Sequence, residues 1–325
     1  MADIKAIILP TRPQPDTLVT IFILKRFGKE HLPGVENAPL EIWQTLPAGK
    51  SAQDLEAEGY ILIDLGGGKF DHHDQRGKTT ASQLVCDFLG ISEDPSLAKL
   101  LEYARRDDFF GKGTVSEDAL DRTFGLSGLV AALNKSLPKN PQRIADLIMP
   151  ILAAHHNEEL RRTVELPEEF QDKTAKGLVN ITEAKQRGKK LKVVFIDSDN
   201  PSMAGFLRSQ NGGKFDVVAQ RSQTGHVNVL TRAAKHIDLR SLAIVIRLEE
   251  ISVRGRDVEI NASELSRTGR LREAPEWYYD RATNSIQNGG VNPKEIEPTA
   301  ISWEKMPQLF EVGLSEQIWN PLATE

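Results

Sequence analysis

The first third of the chain alternates short apolar runs with longer segments of helical spacing. Residues 4–10 (IKAIILP) form an apolar run that ends at a proline, which is typical of a buried strand. Residues 16–28 have helical spacing, and Asp16 is a candidate N-cap. The runs LEIWQTL and YILIDLG predict two more strands, and residues 80–89 and 95–110 predict helices. This alternation indicates a parallel sheet covered by helices.

The rest of the chain changes pattern twice. Residues 124–178 have helical spacing throughout, and strand patterns resume after a charged stretch with LKVVFID, FDVVAQR and HVNVLTR, followed by the helical segment LRSLAIVIRLEEI. The charged run KQRGKKLK (185–192) is interpreted as a solvated linker. We therefore predict an α/β fold with three parts. They are a parallel-sheet domain at 1–123, a helical connector at 124–188, and a smaller α/β domain with a closing arm at 189–325.

Composition places the chain among ordinary globular proteins and excludes some partners. Of its 325 residues, 39% are hydrophobic and 27% are charged, and no apolar run reaches the length needed to cross a bilayer. The start lacks the pattern of a secretory signal, and one cysteine, Cys86, excludes an internal disulfide framework. We expect a cytoplasmic protein that binds no membrane. The net charge of −5 makes long DNA an unfavourable partner, and the oligomeric state stays open.

Residues 66–75 (GGGKFDHHDQ) bring three glycines, two aspartates and two histidines together, and they directly follow the predicted strand YILIDL. Asp64 lies at the carboxyl end of that strand, where open α/β sheets form their ligand crevice. The glycines allow a sharp turn and a close approach to a ligand. In extended backbone, His72 and His73 point to opposite sides, so one imidazole would bind a metal while the other contacts a substrate oxygen.

Carboxylate oxygens combined with imidazole nitrogens suit Mn²⁺ and, less specifically, Mg²⁺, Fe²⁺ or Zn²⁺. Two such ions bridged by a carboxylate would activate water and stabilise in-line attack on phosphorus. The alternative is a glycine-rich loop that carries surface histidines. Three glycines and the Asp-His-His triplet, placed directly after a strand aspartate, favour the metal site.

The motif IDLGG…FDHHDQ resembles the signature of the DHH phosphoesterase superfamily. The local form DLGGGKFDHH, followed by TTASQLV, is most similar to the MYG1-like branch, and the resemblance covers residues 4–110. It implies a DHH-type parallel-sheet domain and a second α/β domain, with the active site in the cleft between them. It also implies Mn²⁺-dependent phosphoesterase activity; members hydrolyse nucleic acids, small oligonucleotides, cyclic dinucleotides or pyrophosphate.

The resemblance assigns roles to four residues around the triplet. Asp64 corresponds to the strand-end aspartate that bridges both metals, and His72 to the ligating histidine. His73 corresponds to the histidine that contacts the substrate phosphate. Asp71 would order the triplet through hydrogen bonds.

A further metal aspartate of the family lies at a helix end and falls within YARRDDFFG. Asp107 and Asp108 both match it, and Asp107 is favoured. In the second half, GHVNVLTRAAKHIDLRSLAIVIRLEE is similar to the substrate-binding domain that often follows DHH domains. Arg232 matches the strand-end arginine of that domain and would hold a substrate phosphate. The family's G-G-H loop is replaced by RLEEISVRG, so the substrate class stays open.

The first motif departs from the family pattern. Many members have a histidine and then Pro-Asp-x-Asp after the first strand, whereas this chain has TRPQPDTLVT. Arg12 replaces the histidine and Leu18 replaces the second acid, while Asp16 is retained, either as a metal ligand or only as a helix cap. An arginine cannot bind a cation, but its planar fork suits phosphate.

Two hypotheses follow from the whole pattern. In the first, the protein is a metal-dependent phosphoesterase that uses one or two Mn²⁺ ions, or Mg²⁺, on a small phosphorylated molecule or a short oligonucleotide. Asp16, Asp64, His72 and Asp107 would bind metal, and Arg12 and Arg232 would bind the substrate phosphate. In the second, catalysis has been lost, and the cleft binds a phosphorylated ligand in a regulatory role.

Two other histidine positions have structural explanations. His155 continues the apolar stripe of a long helix four residues after Ile151, so we expect it in the core or an interface rather than at a metal. His226 opens a predicted strand near Arg232 and has either a structural role or a place in the cleft.

Overall fold

The structure, a computed structural model, describes residues 4–75, 79–138, 140–289 and 295–315. The chain divides into two compact units, Met1–Thr163 and Val164–Glu325, each of which is described by itself. This division falls within the segment 124–188 that the sequence assigned to a helical connector. No helix in the described residues combines the length and apolar character needed to cross a membrane.

The first unit contains a three-stranded parallel sheet in the order β2-β1-β3. Its strands are β1 (Ala6–Leu9), β2 (Leu40–Ile42) and β3 (Tyr60–Leu62). The α-helices are α1 (Pro15–Phe27), α2 (Ala52–Ala57), α3 (Ala81–Leu89), α4 (Ala98–Phe110), α5 (Ala119–Phe124), α6 (Leu126–Ser136) and α7 (Pro141–Leu160). The expected α/β alternation and the parallel pairing are therefore present in this unit.

Helix α1 lies at the centre of the first unit. Its first ten residues, 15–24, are all buried, and it packs against α3, α4 and α7. A helix that is apolar on nearly every side needs such surroundings. The predicted N-cap is wrong, because Gln14 occupies that position and Asp16 lies inside the first turn with its carboxylate directed to α3.

Helix α7 corrects the expectation for the paired histidines. Ile148 and Leu152 are buried, whereas Ile151 is 53% exposed. The buried row advances by four residues, so it reaches His156 and leaves His155 exposed. His156 Nε2 lies 3.0 Å from Ser96 Oγ, which gives this buried imidazole a polar partner.

The second unit is built on a seven-stranded mixed sheet in the order β4-β5-β6-β7-β10-β9-β8. Strands β5 and β6 are parallel, and the other neighbours are antiparallel. The strands are β4 (Val179–Gln186), β5 (Lys189–Asp197), β6 (Val217–Arg221), β7 (Val227–Thr231), β8 (Gly269–Arg270), β9 (Trp277–Asp280) and β10 (Ser285–Asn288). The α-helices are α8 (Leu166–Ala175), α9 (Met203–Arg208), α10 (Arg240–Val253), α11 (Ala262–Leu265) and α12 (Met306–Leu314).

Residues 185–192, interpreted above as a solvated linker, form the end of a β-hairpin instead. Strand β4 pairs with β5 along its whole length, and the two-residue turn between them has positive φ at Arg187 (50°) and Gly188 (71°). Because β4 is an edge strand, its charged residues Glu183 and Lys185 remain in solvent and protect the edge from further pairing. The charge run therefore belongs to a regular element of the second unit.

His226 has a structural role in the second unit. The ring is buried, its Nδ1 lies 2.8 Å from Thr224 Oγ1, and its Nε2 lies 2.8 Å from the carbonyl oxygen of Ile296. Both ring nitrogens are thus engaged within the unit. Of the two roles open to His226, the structure supports the structural one.

Candidate metal centre

Asp64 lies two positions beyond β3, at the sheet edge that also carries the β1–α1 connection. Its φ of 50° is in the left-handed region, which is uncommon for a residue other than glycine. Its backbone N–H donates to the carbonyl of Phe70 (3.2 Å), which closes the glycine loop beneath it. Thr17 Oγ1, in the first turn of α1, donates to Asp64 Oδ2 at 3.0 Å. These contacts fix the carboxylate at the carboxyl end of the strand.

Gly66 explains why the loop after Asp64 requires glycine. Its φ is 69°, and a Cβ built at this position would lie 2.5 Å from the side chain of Leu46. Both the backbone conformation and the close approach therefore exclude a side chain. The tight loop returns the chain to the sheet, where Ile63 and Phe70 form an isolated parallel bridge.

His72 lies between two carboxylates. Its Nδ1 is 2.9 Å from Asp64 Oδ1, and its Nε2 is 3.2 Å from Asp108 Oδ2. The side chain is only 5% exposed. The close Asp64 carboxylate raises the pKa of His72 to about 9, although burial acts in the opposite direction. Without a cation, this imidazole is therefore protonated at neutral pH.

The short contact between His72 and Asp64 is not aligned as a hydrogen bond. His72 Nδ1 and Asp64 Oδ1 are both buried, and neither has a hydrogen-bond partner among the described residues. Buried polar atoms of this kind are rare and need an explanation. Once the ring has lost its proton, its nitrogen and the carboxylate oxygen that faces it are suitable ligands for a divalent cation.

Asp16 is the third member of the cluster, and it also caps a helix other than its own. Its Oδ2 accepts from the backbone N–H of Ala81 (2.8 Å), and its Oδ1 accepts from the N–H (3.1 Å) and hydroxyl (2.5 Å) of Ser82. These donors belong to the first turn of α3. Burial and the nearby charge of Asp64 raise the pKa of Asp16 to about 6. Of the two roles left open for Asp16, the cap of its own helix is not observed, whereas its contacts to α3 are compatible with the ligand role.

The three side chains converge from separate parts of the first unit. Asp16, Asp64 and His72 each offer one ligand atom, and these atoms all lie within 4.8 Å of one another. Convergence occurs because the carboxyl ends of the parallel strands β1 and β3 meet at one edge of the sheet. The donor set, which includes the Asp64 and His72 atoms that face each other at 2.9 Å, fits a divalent cation such as Mn²⁺.

Asp107 and Asp108 occupy different surroundings. The structure places Asp108, rather than the favoured Asp107, beside His72. Asp107 is buried, burial raises its pKa, and it lines a neighbouring cavity. The difference follows from helix geometry, because successive residues on α4 are rotated by about 100°.

The Asp-His-His triplet is held together by its aspartate. Asp71 Oδ2 accepts from the N–H of Gly67 (2.8 Å), while Oδ1 lies 3.1 Å from the backbone nitrogen and 2.5 Å from Nδ1 of His73. The rings of His72 and His73 stack at 5.3 Å with an interplanar angle of 14°. The expected opposite orientation is wrong, because a 3₁₀ turn begins at His73 instead of extended backbone.

Arg12 lines a cavity of about 1230 Å³ that also reaches Asp107. Four cationic side chains border this cavity, and none of them has an ion pair or hydrogen bond to a residue that the structure describes: Arg12, Lys112, Arg122 and Lys135. Asp107 is the acid among the described lining residues. The cavity thus has an excess of positive charge on a chain whose net charge is −5.

Two further predicted positions are not members of the Asp16–Asp64–His72 cluster. Leu18 is fully buried in the core, so no ligand replaces the second acid of the first motif at that point. Arg232 belongs to the second unit, where its Nη2 lies 3.0 Å from Asp216 Oδ1. Its guanidinium is therefore engaged by a carboxylate of its own unit.

Sequence inspection missed three positioning groups in the first unit. Thr17 holds Asp64, and the first turn of α3, at Ala81 and Ser82, holds Asp16. The run TTAS, with a threonine N-cap before a helical pattern, signals the start of α3. Nothing in it signals a carboxylate that lies 65 residues earlier in the chain.

Comparison with known proteins gives no family assignment. No protein-family model and no curated protein matches the chain. Among solved structures, an uncharacterized protein from Helicobacter pylori G27 is similar over 95% of this chain and 99% of its own, at 11% identity and a TM-score of 0.23. A likeness this weak carries no argument about fold or function.

Proposed function

We propose that the protein is a metal-dependent phosphoesterase whose metal centre lies in the first unit. The observation that carries the proposal is the buried convergence of Asp16, Asp64 and His72, with two facing ligand atoms that lack hydrogen bonds. The resemblance of IDLGG…FDHHDQ to the DHH phosphoesterase signature supports the same conclusion.

Asp16, Asp64 and His72 would hold the cation, with the Asp108 carboxylate next to them. Bound Mn²⁺ or Mg²⁺ would supply Lewis acidity toward a phosphoryl oxygen and would make water a better nucleophile at neutral pH. A second group, Asp64, Asp71 and His73, shares Asp64 with the first. The oxygens of Asp71 already accept hydrogen bonds, which favours a single ion over two.

The protein groups around the cluster have definable tasks. Thr17 orients Asp64, and the first turn of α3 stabilises the charge of Asp16. Asp71 engages Nδ1 of His73, so Nε2 of this exposed ring is the nitrogen left to donate to a substrate oxygen. Arg12, which has no described partner, would neutralise a phosphoryl oxygen.

The cationic cavity beside Asp107 supports a phosphorylated substrate. Its volume of about 1230 Å³ exceeds the range of typical small-molecule pockets, which extends to about 1,000 Å³. Both substrate types, a small phosphorylated molecule and a short oligonucleotide, fit this space and charge. Long double-stranded DNA needs an extended basic surface, which a chain of net charge −5 does not favour.

The test combines metal binding with hydrolysis. Protein stripped with EDTA is titrated with Mn²⁺ by calorimetry, and hydrolysis of bis(p-nitrophenyl) phosphate and short oligonucleotides is measured. Asp64→Asn and His72→Gln are expected to abolish stoichiometric Mn²⁺ binding and to lower activity about 100-fold or more. Asp74→Asn and His155→Gln are the matched controls, because both side chains are exposed and neither makes a hydrogen bond or ion pair with a described residue. Activity that persists in both site variants contradicts the proposal.

A second candidate function is a non-catalytic protein that binds a phosphorylated ligand. The arrangement of His72 favours it, because an imidazolium between Asp64 and Asp108 compensates charge without any ion. The replacement of two first-motif ligands by Arg12 and the buried Leu18 points the same way. This alternative predicts no bound divalent metal by elemental analysis, and thermal stabilisation by phosphorylated ligands without turnover.

A further inference from the structure

The second unit contains a basin of about 540 Å³ that is rich in arginine. It is bordered by the turn of the β4–β5 hairpin, the loop before α10 and the turn between β9 and β10. Arg187, Arg240, Arg281 and His236 line it, and Asp238 is the acid among the described lining residues. Three arginines and one aspartate thus line the basin.

Asp238 acts as a fixed support for this basin. Its backbone N–H donates to Gln186 Oε1 (2.8 Å), and its carbonyl accepts from Gln186 Nε2 (2.9 Å). Its carboxylate is 3.0 Å from Arg240 Nε and 2.5 Å from Arg240 Nη2, and 3.5 Å from Arg187 Nη2. Arg240 is therefore oriented through Nε and Nη2, which leaves Nη1 without a partner among the described residues.

The other two arginines have little or no charge compensation from the described part of the unit. Arg281 makes no ion pair or hydrogen bond with any described residue, and it is exposed at the turn after β9. Arg187 is 69% exposed and reaches Asp238 only at 3.5 Å. Arg187 and His236, which lie in two of the loops that border the basin, both have a positive φ (50° and 49°). The basin thus retains an excess of positive charge on an acidic chain.

We propose that this basin binds a phosphate dianion, either free phosphate or the phosphate group of a small ester. Arginine forks match the planar and tetrahedral oxygen geometry of carboxylate and phosphate, and three of them around one site favour the higher charge of phosphate. The volume of about 540 Å³ is within the range of small-molecule sites. Every lining residue belongs to the second unit, so the basin shares no residue with the metal centre of the first unit.

Binding is tested on the full chain with EDTA present, so that the metal centre does not contribute. Inorganic phosphate and adenosine 5′-monophosphate are titrated separately by calorimetry into the unaltered protein. Saturable binding of both with similar affinity identifies free phosphate as a sufficient ligand. Tighter binding of the monophosphate identifies a phosphate ester. No saturable heat with either probe overturns the proposal.

Variants locate the site and separate it from the proposed function. Arg281→Gln and Arg187→Gln are each expected to weaken binding about tenfold, because each removes a charge-assisted donor. Arg272→Gln is the matched control, since Arg272 is exposed in the same unit and has no described partner. Asp64→Asn should leave binding unchanged. Unaltered affinity in both arginine variants, with melting temperatures equal to that of the parent, contradicts the assignment.

Discussion

His72 Nδ1 and Asp64 Oδ1 lie 2.9 Å apart in the interior of the first unit, without hydrogen-bond alignment. A second carboxylate, Asp108, lies on the other side of the imidazole. In the absence of metal, these two carboxylates keep His72 protonated. Any cation that takes the place of the proton gains two ligand atoms that have no other described partner.

Proton competition should therefore control metal affinity. Because the pKa of His72 is raised to about 9, a proton must leave the ring before a cation binds. The apparent association constant for Mn²⁺ is expected to rise about tenfold per pH unit between pH 6.5 and 8. Calorimetric or paramagnetic-resonance titrations at several pH values measure this slope. A flat profile would show that His72 is not a ligand.

The same residue should make the stability of the metal-free protein depend on pH. Its pKa is raised from 6.5 to about 9 on folding, so its stabilising contribution is complete below pH 6.5 and is lost as pH rises toward 9. The free energy of unfolding is expected to fall by an amount on the order of 1–3 kcal/mol over this range. Urea unfolding in EDTA at pH 6.5 and 9 measures it. His72→Gln should remove this part of the pH dependence, and His155→Gln should retain it.

The predictable parts of the fold are those in which burial follows from local pattern. Strand β1 and helix α1 are continuous apolar runs, and both are in the core. Strands β5, β6 and β7 and helix α10 were predicted for the same reason. Strand β4 was missed because an edge strand keeps its charged residues in solvent, so its sequence looks like a linker.

The parts of the site that could not be predicted from the sequence depend on contacts between residues far apart in the chain, or on the direction in which neighbouring side chains point. Asp16 caps α3 through residues 81 and 82, and no local pattern connects those positions. Asp107 and Asp108 are neighbours in sequence, but the rotation of α4 separates their surroundings. The parallel stacking of His72 on His73 arises from a 3₁₀ turn that the extended-chain assumption does not include.

Asp16 and Ser82 allow the capping role to be separated from the metal role. Ser82→Ala removes the hydroxyl donor to Asp16, and it should lower the free energy of unfolding by about 1 kcal/mol while Mn²⁺ stoichiometry is retained. Asp16→Ala removes the carboxylate, and it should cost about 1–2 kcal/mol and also weaken Mn²⁺ binding. Chemical denaturation and calorimetry measure the two effects. Equal Mn²⁺ affinity in both variants would restrict Asp16 to capping.

The neighbouring acids at the end of α4 provide the last test, because each is the control for the other. Asp108 Oδ2 lies 3.2 Å from His72 Nε2, whereas Asp107 lines the cationic cavity. Asp108→Asn should weaken Mn²⁺ binding about 10- to 100-fold, since it removes a carboxylate that contacts a ligand. It should also lower the pKa of His72, because one of the charges that raise it is lost.

Asp107→Asn should leave Mn²⁺ binding close to that of the parent and stabilise the fold slightly, because a buried carboxyl with a raised pKa no longer ionises. Calorimetric titration of both variants with Mn²⁺, together with the ¹H–¹⁵N resonances of the His72 ring across pH 7–10, gives the comparison. If Asp107→Asn abolishes Mn²⁺ binding while Asp108→Asn does not, the cation is held on the cavity side of α4. Asp108 would then form an ion pair with His72 without contributing to metal binding.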